Sequence, residues 1–129
     1  MKRIVFVVEK TGTGYSAFAK NFEKYPIGTT GKNMRDLRKN ILDATHLFQD
    51  AHHLKHAKED DIIISLDLHQ FFEYYKIINA TALAERIGMS QSLLSQYANG
   101  IKSPSEKQTN KILQGIRELG KEFTQLELV

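Results

Sequence analysis

At 129 residues with 41% hydrophobic content, the chain can build one ordinary domain or two small ones with packed cores. It contains no cysteine, which excludes disulfides and thiolate metal sites and makes an intracellular, cytoplasmic protein the natural expectation. The net charge of +3 sits unevenly: residues 1–66 hold 11 Lys/Arg against 8 Asp/Glu, and residues 67–129 hold 7 against 7.

The first residues, MKRIVFVVEKTG, carry a charge and a short apolar run, but the run is too brief for a signal peptide and Glu9 follows it. No stretch approaches the ~20 apolar residues of a membrane span, so no membrane partner is expected. Lys2–Glu9, β-branched and apolar in its middle, predicts a buried strand. The TGTG at Thr11–Gly14 marks a turn, and Tyr15–Lys20 alternates large and small side chains, so a hairpin is expected. Ile27–Thr30 reads as a short third strand ending at Gly31.

From Lys32 the period lengthens. Met34, Leu37, Ile41, Ala44, Thr45 and Phe48 recur at helical spacing and predict an amphipathic helix of about five turns. Its other face holds Lys32, Arg35, Arg38 and Lys39, which is either a solvated face or a contact surface. The polar run DAHHLKHAKEDD reads as a frayed end or loop, and Asp61–Leu66 as another buried strand. The remainder is helical: Asp67 is placed to cap LHQFFEYYKI, whose Phe71, Tyr74 or Tyr75 and Ile78 face inward. The fold class is therefore α+β, a small β-β-β-α-β unit (1–66) followed by an all-α helix-turn-helix domain (67–129).

Asn79–Pro104 organises that second domain. Leu83, Ala84 and Ile87 share one face of a first helix, and Leu93, Leu94 and Tyr97 share a face of a second. Asn79 and Ser90 are N-cap candidates, Gly88 stands where the first helix must stop, and Ala84 is small where the second helix crosses. This is helix-turn-helix spacing. On the second helix Gln91, Ser92, Ser95 and Gln96 are uncharged hydrogen-bonding residues suited to base edges. Ser90, Lys76, Arg86, Lys102 and Asn99 are the phosphate-binding candidates. Between positions 76 and 111, five Lys/Arg face only Glu85 and Glu106, which suits a weak phosphate-binding face. Glu106–Leu119 predicts a last helix on Ile112, Leu113 and Ile116, ended by Gly120. The tail EFTQLELV is either a short strand that pairs with its copy or further helix.

IGMSQSLLSQYANGIKSPS resembles the recognition segment of the lambda-repressor/Cro-like (XRE) helix-turn-helix family. The resemblance covers about Leu68 to Leu119 and implies that Gln91 and Ser92 are the main base readers, with Ser95 and Gln96 next. Where that family often opens the first helix of the pair with Gln, this chain has Ala80 and Thr81. A second resemblance rests on element order, on Tyr15-Ser-Ala, on Gly28-Thr-Thr-Gly31 and on the helix from Lys32 with the strand Asp61–Leu66. In these the chain is similar to the HicB antitoxin family, whose N-terminal unit is a partial ribonuclease-H-like fold. Glu23-Lys-Tyr-Pro26 replaces that family's Leu-Pro-Gly turn, and Lys32-Asn-Met-Arg35 its Thr-x-x-Glu-Ala helix start. This second resemblance implies a partner toxin, a small HicA-like ribonuclease held inactive by the N-terminal unit, and repression of the pair's own operon.

Catalysis is not expected. Two-metal phosphodiester hydrolysis needs converging carboxylates, normally one within the first strand, and Arg3–Val8 has none. His52 and His56, at i and i+4, would share a helix face and suggest zinc, with His53, Asp50 or Glu59 as a third ligand; a solvated polar segment is the preferred reading. No metal, cofactor or catalytic set is assigned. The partners expected are a double-stranded DNA operator, a toxin, and a second copy of the chain, since one recognition helix buries too little surface for specificity; assembly of four chains stays open. The alternative is a stand-alone dimeric repressor whose N-terminal unit binds an effector or dimerises.

Overall fold

The computed structural model describes residues 3–129. Lys2, included in the first expected strand, lies outside the described residues. The chain divides into two compact units between Leu66 and Asp67.

The first unit is a four-stranded sheet with one helix. Strands β1 (Ile4–Lys10), β2 (Tyr15–Ala19) and β3 (Gly28–Gly31) precede helix α1 (Met34–Ala51), and β4 (Ile62–Ser65) follows it. The sheet order is β3-β2-β1-β4. β1 pairs antiparallel with β2 from Phe6↔Ala19 to Lys10↔Tyr15, and β2 with β3 from Tyr15↔Gly31 to Phe18↔Gly28. β4 lies parallel to β1, Ile4 opposite Ile62, which requires a long return of the chain and receives it from α1.

The period of two along β1 puts Ile4, Phe6 and Val8 in the core while Val5 and Val7 are half-buried. The strand expected to be buried from IVFVV is therefore buried in alternation, fully on the face that meets the core and half on the other, where Val5 and Val7 lie. The isoleucines of β4 are likewise half-buried, because β4 is an edge strand. α1 packs across β2 and β3 and buries Leu37, Ile41 and Thr45. Burying a side chain such as Phe6 or Leu37 contributes about 2–3 kcal/mol. The helix starts at Asn33, whose Oδ1 accepts the Asp36 N–H at 2.8 Å, while its Nδ2 donates back to the Asp36 carboxylate at 3.3 Å.

The segment after α1 is a loop, one of the two forms expected of it, and it is held from within. Gln49 is buried, its Oε1 accepts the Ala57 N–H at 2.8 Å, and its own carbonyl accepts the Leu54 N–H at 2.8 Å. The His46 ring N–H donates to the Ala57 carbonyl at 2.8 Å. α1 ends at Ala51, so His52 and His56 do not share a helix face. His52 donates to the Phe48 carbonyl at 2.9 Å, and His56 contacts the Asp50 carboxylate at 2.6 Å while its ring stacks on His46.

The second unit holds four helices: α2 (Leu68–Tyr74), α3 (Ala80–Ile87), α4 (Gln91–Ala98) and α5 (Glu106–Phe123). Each starts on a side-chain cap. Asp67, Asn79, Ser90 and Ser105 accept the N–H groups of Gln70, Ala82, Leu93 and Gln108 at 2.8, 3.0, 3.3 and 3.2 Å. Their core is Phe72, Leu83, Ala84, Met89, Leu94, Tyr97 and Ile112. α2 is shorter than expected, and Phe72 is its buried aromatic, with Phe71 and Ile78 only partly covered.

α5 departs most from expectation. It continues through Gly120 to Phe123, and Thr124 closes it by donating to the Lys121 carbonyl at 2.7 Å. Gly120 keeps a negative φ and therefore stays helical instead of turning the chain. The tail forms no strand. Leu113 is exposed, and the inward face is instead Ile112, Gly115 and Ile116. At Gly115 the helix passes so near α3 that a Cβ would collide with the Ile87 side chain.

Candidate nucleic-acid interface

α3 and α4 are joined by three residues, Gly88, Met89 and Ser90, and the joint is tightly specified. Gly88 adopts φ 70°, a conformation in which any Cβ would be strained. The Met89 N–H then reaches the Ala84 carbonyl at 2.9 Å and the Gly88 N–H the Glu85 carbonyl at 3.3 Å, the paired bonds of a Schellman stop. Ala84 is fully buried beneath α4, as its small size requires. Ser90 starts α4 at once, which leaves Gln91 and Ser92 exposed in its first turn.

The far end of α4 is fixed in the same way. Gly100, at φ 74°, closes a second Schellman stop: Ile101 N–H to the Gln96 carbonyl at 2.9 Å and Gly100 N–H to the Tyr97 carbonyl at 3.1 Å. The His69 Nδ1–H of α2 donates to the Ala98 carbonyl at 2.7 Å. Lys111 of α5 reaches the Gly88 carbonyl at 3.4 Å. Leu94 and Tyr97 are buried, so one side of α4 is locked into the core and the other faces solvent.

On that solvent side the candidate readers differ. Gln91, Ser92 and Ser95 are exposed, and Gln96 is half-buried. Asn99 donates through its Nδ2 to the Ser95 Oγ at 3.4 Å, so the two are coupled at the C-terminal end of the helix. Among the phosphate candidates Ser90 caps α4, Lys76 is exposed between α2 and α3, and Lys102 is exposed just beyond the second Schellman stop. Arg86 stands apart: its guanidinium pairs with Glu122 of α5, so contact with a phosphate requires an exchange of partner. No charge lies between Gly88 and Ile101, and an uncharged surface of this kind reads hydrogen-bond patterns more than net charge.

Residues 76–120 match the family model described as Helix-turn-helix. This segment is similar to helix-turn-helix domains, and the match supports a DNA-binding transcription regulator. The match takes in α3, α4 and all but the last three residues of α5, the capped pair and the helix that braces it. No curated protein and no solved structure matches the chain.

Three residues that shape this domain did not stand out in the sequence. Gly100 had a signal, since Asn-Gly after a periodic run is a common helix stop. His69 and Gly115 had none, because each acts on a residue distant in sequence: His69 on Ala98, Gly115 on Ile87. Among the described residues, no helix is long and apolar enough to cross a membrane, and no group of three or more His, Asp or Glu could hold a metal ion.

Proposed function

We propose that the chain is a sequence-specific repressor that acts as a dimer, and that it is the antitoxin of a toxin–antitoxin pair. The observation carrying the DNA-reading role is the N-terminal half of α4. It presents Gln91 and Ser92 to solvent on a helix fixed at both ends, with Ser95 and Gln96 one turn further along. Insertion of this helix into the major groove lets Gln91 bond an adenine edge and Ser92 a base or phosphate. Ser90, Lys76 and Lys102 then hold the backbone, with Asn99 and Arg86 as secondary contacts.

The antitoxin role rests on the first unit. Its β-β-β-α-β order is the one implied by the resemblance to HicB antitoxins, and a sheet with one open face offers a surface for a small ribonuclease. Dimerisation fits the exposed Leu113 and Phe123 of α5 and the exposed Leu126 and Leu128 of the tail, which leave apolar surface for a second copy. The test is to express the tagged chain with its immediate genomic neighbours and identify what co-purifies by mass spectrometry. A stoichiometric small protein that arrests growth when expressed alone is the expected result. A bare homodimer removes the antitoxin role and leaves a stand-alone repressor.

A further inference from the structure

We propose that the first unit carries a nucleic-acid-binding site of its own: a basic groove at the start of α1 that holds the phosphodiester backbone of a single-stranded nucleic acid. The site is independent of the helix-turn-helix and of the antitoxin reading, since it lies wholly within the other unit.

The charge distribution is the first observation. The chain's whole excess of +3 belongs to residues 1–66, whereas the DNA-binding unit is balanced. Four of those cations, Lys32, Arg35, Arg38 and Lys39, are exposed at the start of α1. Lys32 and Arg35 flank the N-cap, where the helix dipole disfavours positive charge, and the last turn of α1, where it would favour them, has no basic residue. This placement opposes helix stability, and such local conflicts concentrate where a surface serves binding. Lys32, Arg35 and Lys39 form no ion pair among the described residues. The one acid between positions 32 and 42, Asp36, is engaged by Asn33 in the capping pair.

The second observation is a groove of about 550 Å³ between the β1–β2 turn, the end of β3 and the first turns of α1. Lys32 and Lys39 line it together with the hydroxyl-bearing residues Thr11, Thr13 and Thr30; Asp36 is the acid among the lining residues. The wall is held by Asn40, whose Nδ2 donates to the Thr30 carbonyl at 2.7 Å. The Thr11 Oγ1 accepts the Gly14 N–H at 3.1 Å, which leaves its own hydrogen for a ligand. Ammonium and hydroxyl donors together are the groups that bind phosphate oxygens. The lining offers no large aliphatic anchor of the kind an acidic protein partner would bury. A groove of this size takes a short run of flexible strand, whereas a duplex turn extends about 34 Å.

Fluorescence anisotropy with a fluorescein-labelled 12-nucleotide oligouridylate tests the site in the full chain. Wild type is expected to bind at low salt. Lys32→Gln with Lys39→Gln should weaken binding about tenfold and flatten the slope of log K against log salt by roughly 1.4, about 0.7 for each phosphate that is no longer neutralised. Gln91→Ala with Lys102→Ala should leave oligouridylate binding within about twofold of wild type. Amide NMR shifts of wild type on titration should map to residues 11–15 and 30–40, a readout that needs no variant to fold. The proposal is overturned if oligouridylate does not bind, if the lysine pair has no effect, or if the shifts map to residues 90–102. It is also overturned if polyglutamate binds the groove and oligouridylate does not, which would make the partner an acidic protein.

Discussion

Gly115→Ala tests the brace behind the recognition helix, because the structure predicts that its effect changes sign with the partner residue. A Cβ at position 115 collides with the Ile87 side chain, so α5 has to shift or Ile87 has to leave its rotamer. Overpacking of this kind costs about 1–3 kcal/mol. Against it stands the gain of replacing glycine within a helix, about 1 kcal/mol. The net effect is a destabilisation of roughly 1 kcal/mol. With Ile87→Ala in place the obstacle is gone, only the helix gain remains, and Gly115→Ala should stabilise by roughly 1 kcal/mol. The double-mutant cycle therefore carries a coupling of about 1–3 kcal/mol. Urea unfolding followed by NMR resonances of residues 67–129 measures it without assuming that both units unfold together. Equal stabilisation by Gly115→Ala in both backgrounds would refute the α3–α5 packing.

Three further outcomes follow from the same geometry. Gln91→Ala should weaken binding to the selected operator by roughly 1–3 kcal/mol and relax one base position in a binding-site selection, because it removes a hydrogen bond to a base edge. Lys102→Ala should weaken all duplex sequences alike and flatten the salt slope by about 0.9, read from anisotropy at several salt concentrations. Gln49→Ala removes the acceptor of the buried Ala57 N–H and should destabilise the first unit by about 1–3 kcal/mol. Hydrogen exchange should then speed at Leu54–Ala57 while the second unit keeps its protection.

Much of the second unit was legible because its signals are local. Asn79 and Ser90 cap helices within three residues of themselves, and Gly88 ends one where a positive φ is required. The apolar periods of α1, α3 and α4 likewise announce which faces are buried. Signals that depend on tertiary context did not carry through. Gly120 has the chemistry of a helix stop, yet it keeps a negative φ and α5 runs past it to Phe123. IVFVV and DIIISL read as buried strands, but which of their side chains are only half-covered follows from the sheet's order and from β4 lying at its edge. The histidine-rich segment read as a frayed end or loop; it is a loop, and nothing local shows that Gln49, four residues before His53, is buried and holds it from within. For Arg86 the charge was visible and its partner Glu122, a helix away, was not.

Whether α4 reads DNA sequence is decided by selection from a random duplex library with the full-length chain. At about 150 mM salt, where the Debye length is ~8 Å and backbone attraction is screened, base readout has to carry the enrichment. A two-fold symmetric consensus is expected, with half-sites about one helical turn apart, and defined positions should disappear from it when Gln91 and Ser92 are both replaced by Ala. An unenriched library, or a consensus that survives those replacements intact, would contradict sequence reading by this helix.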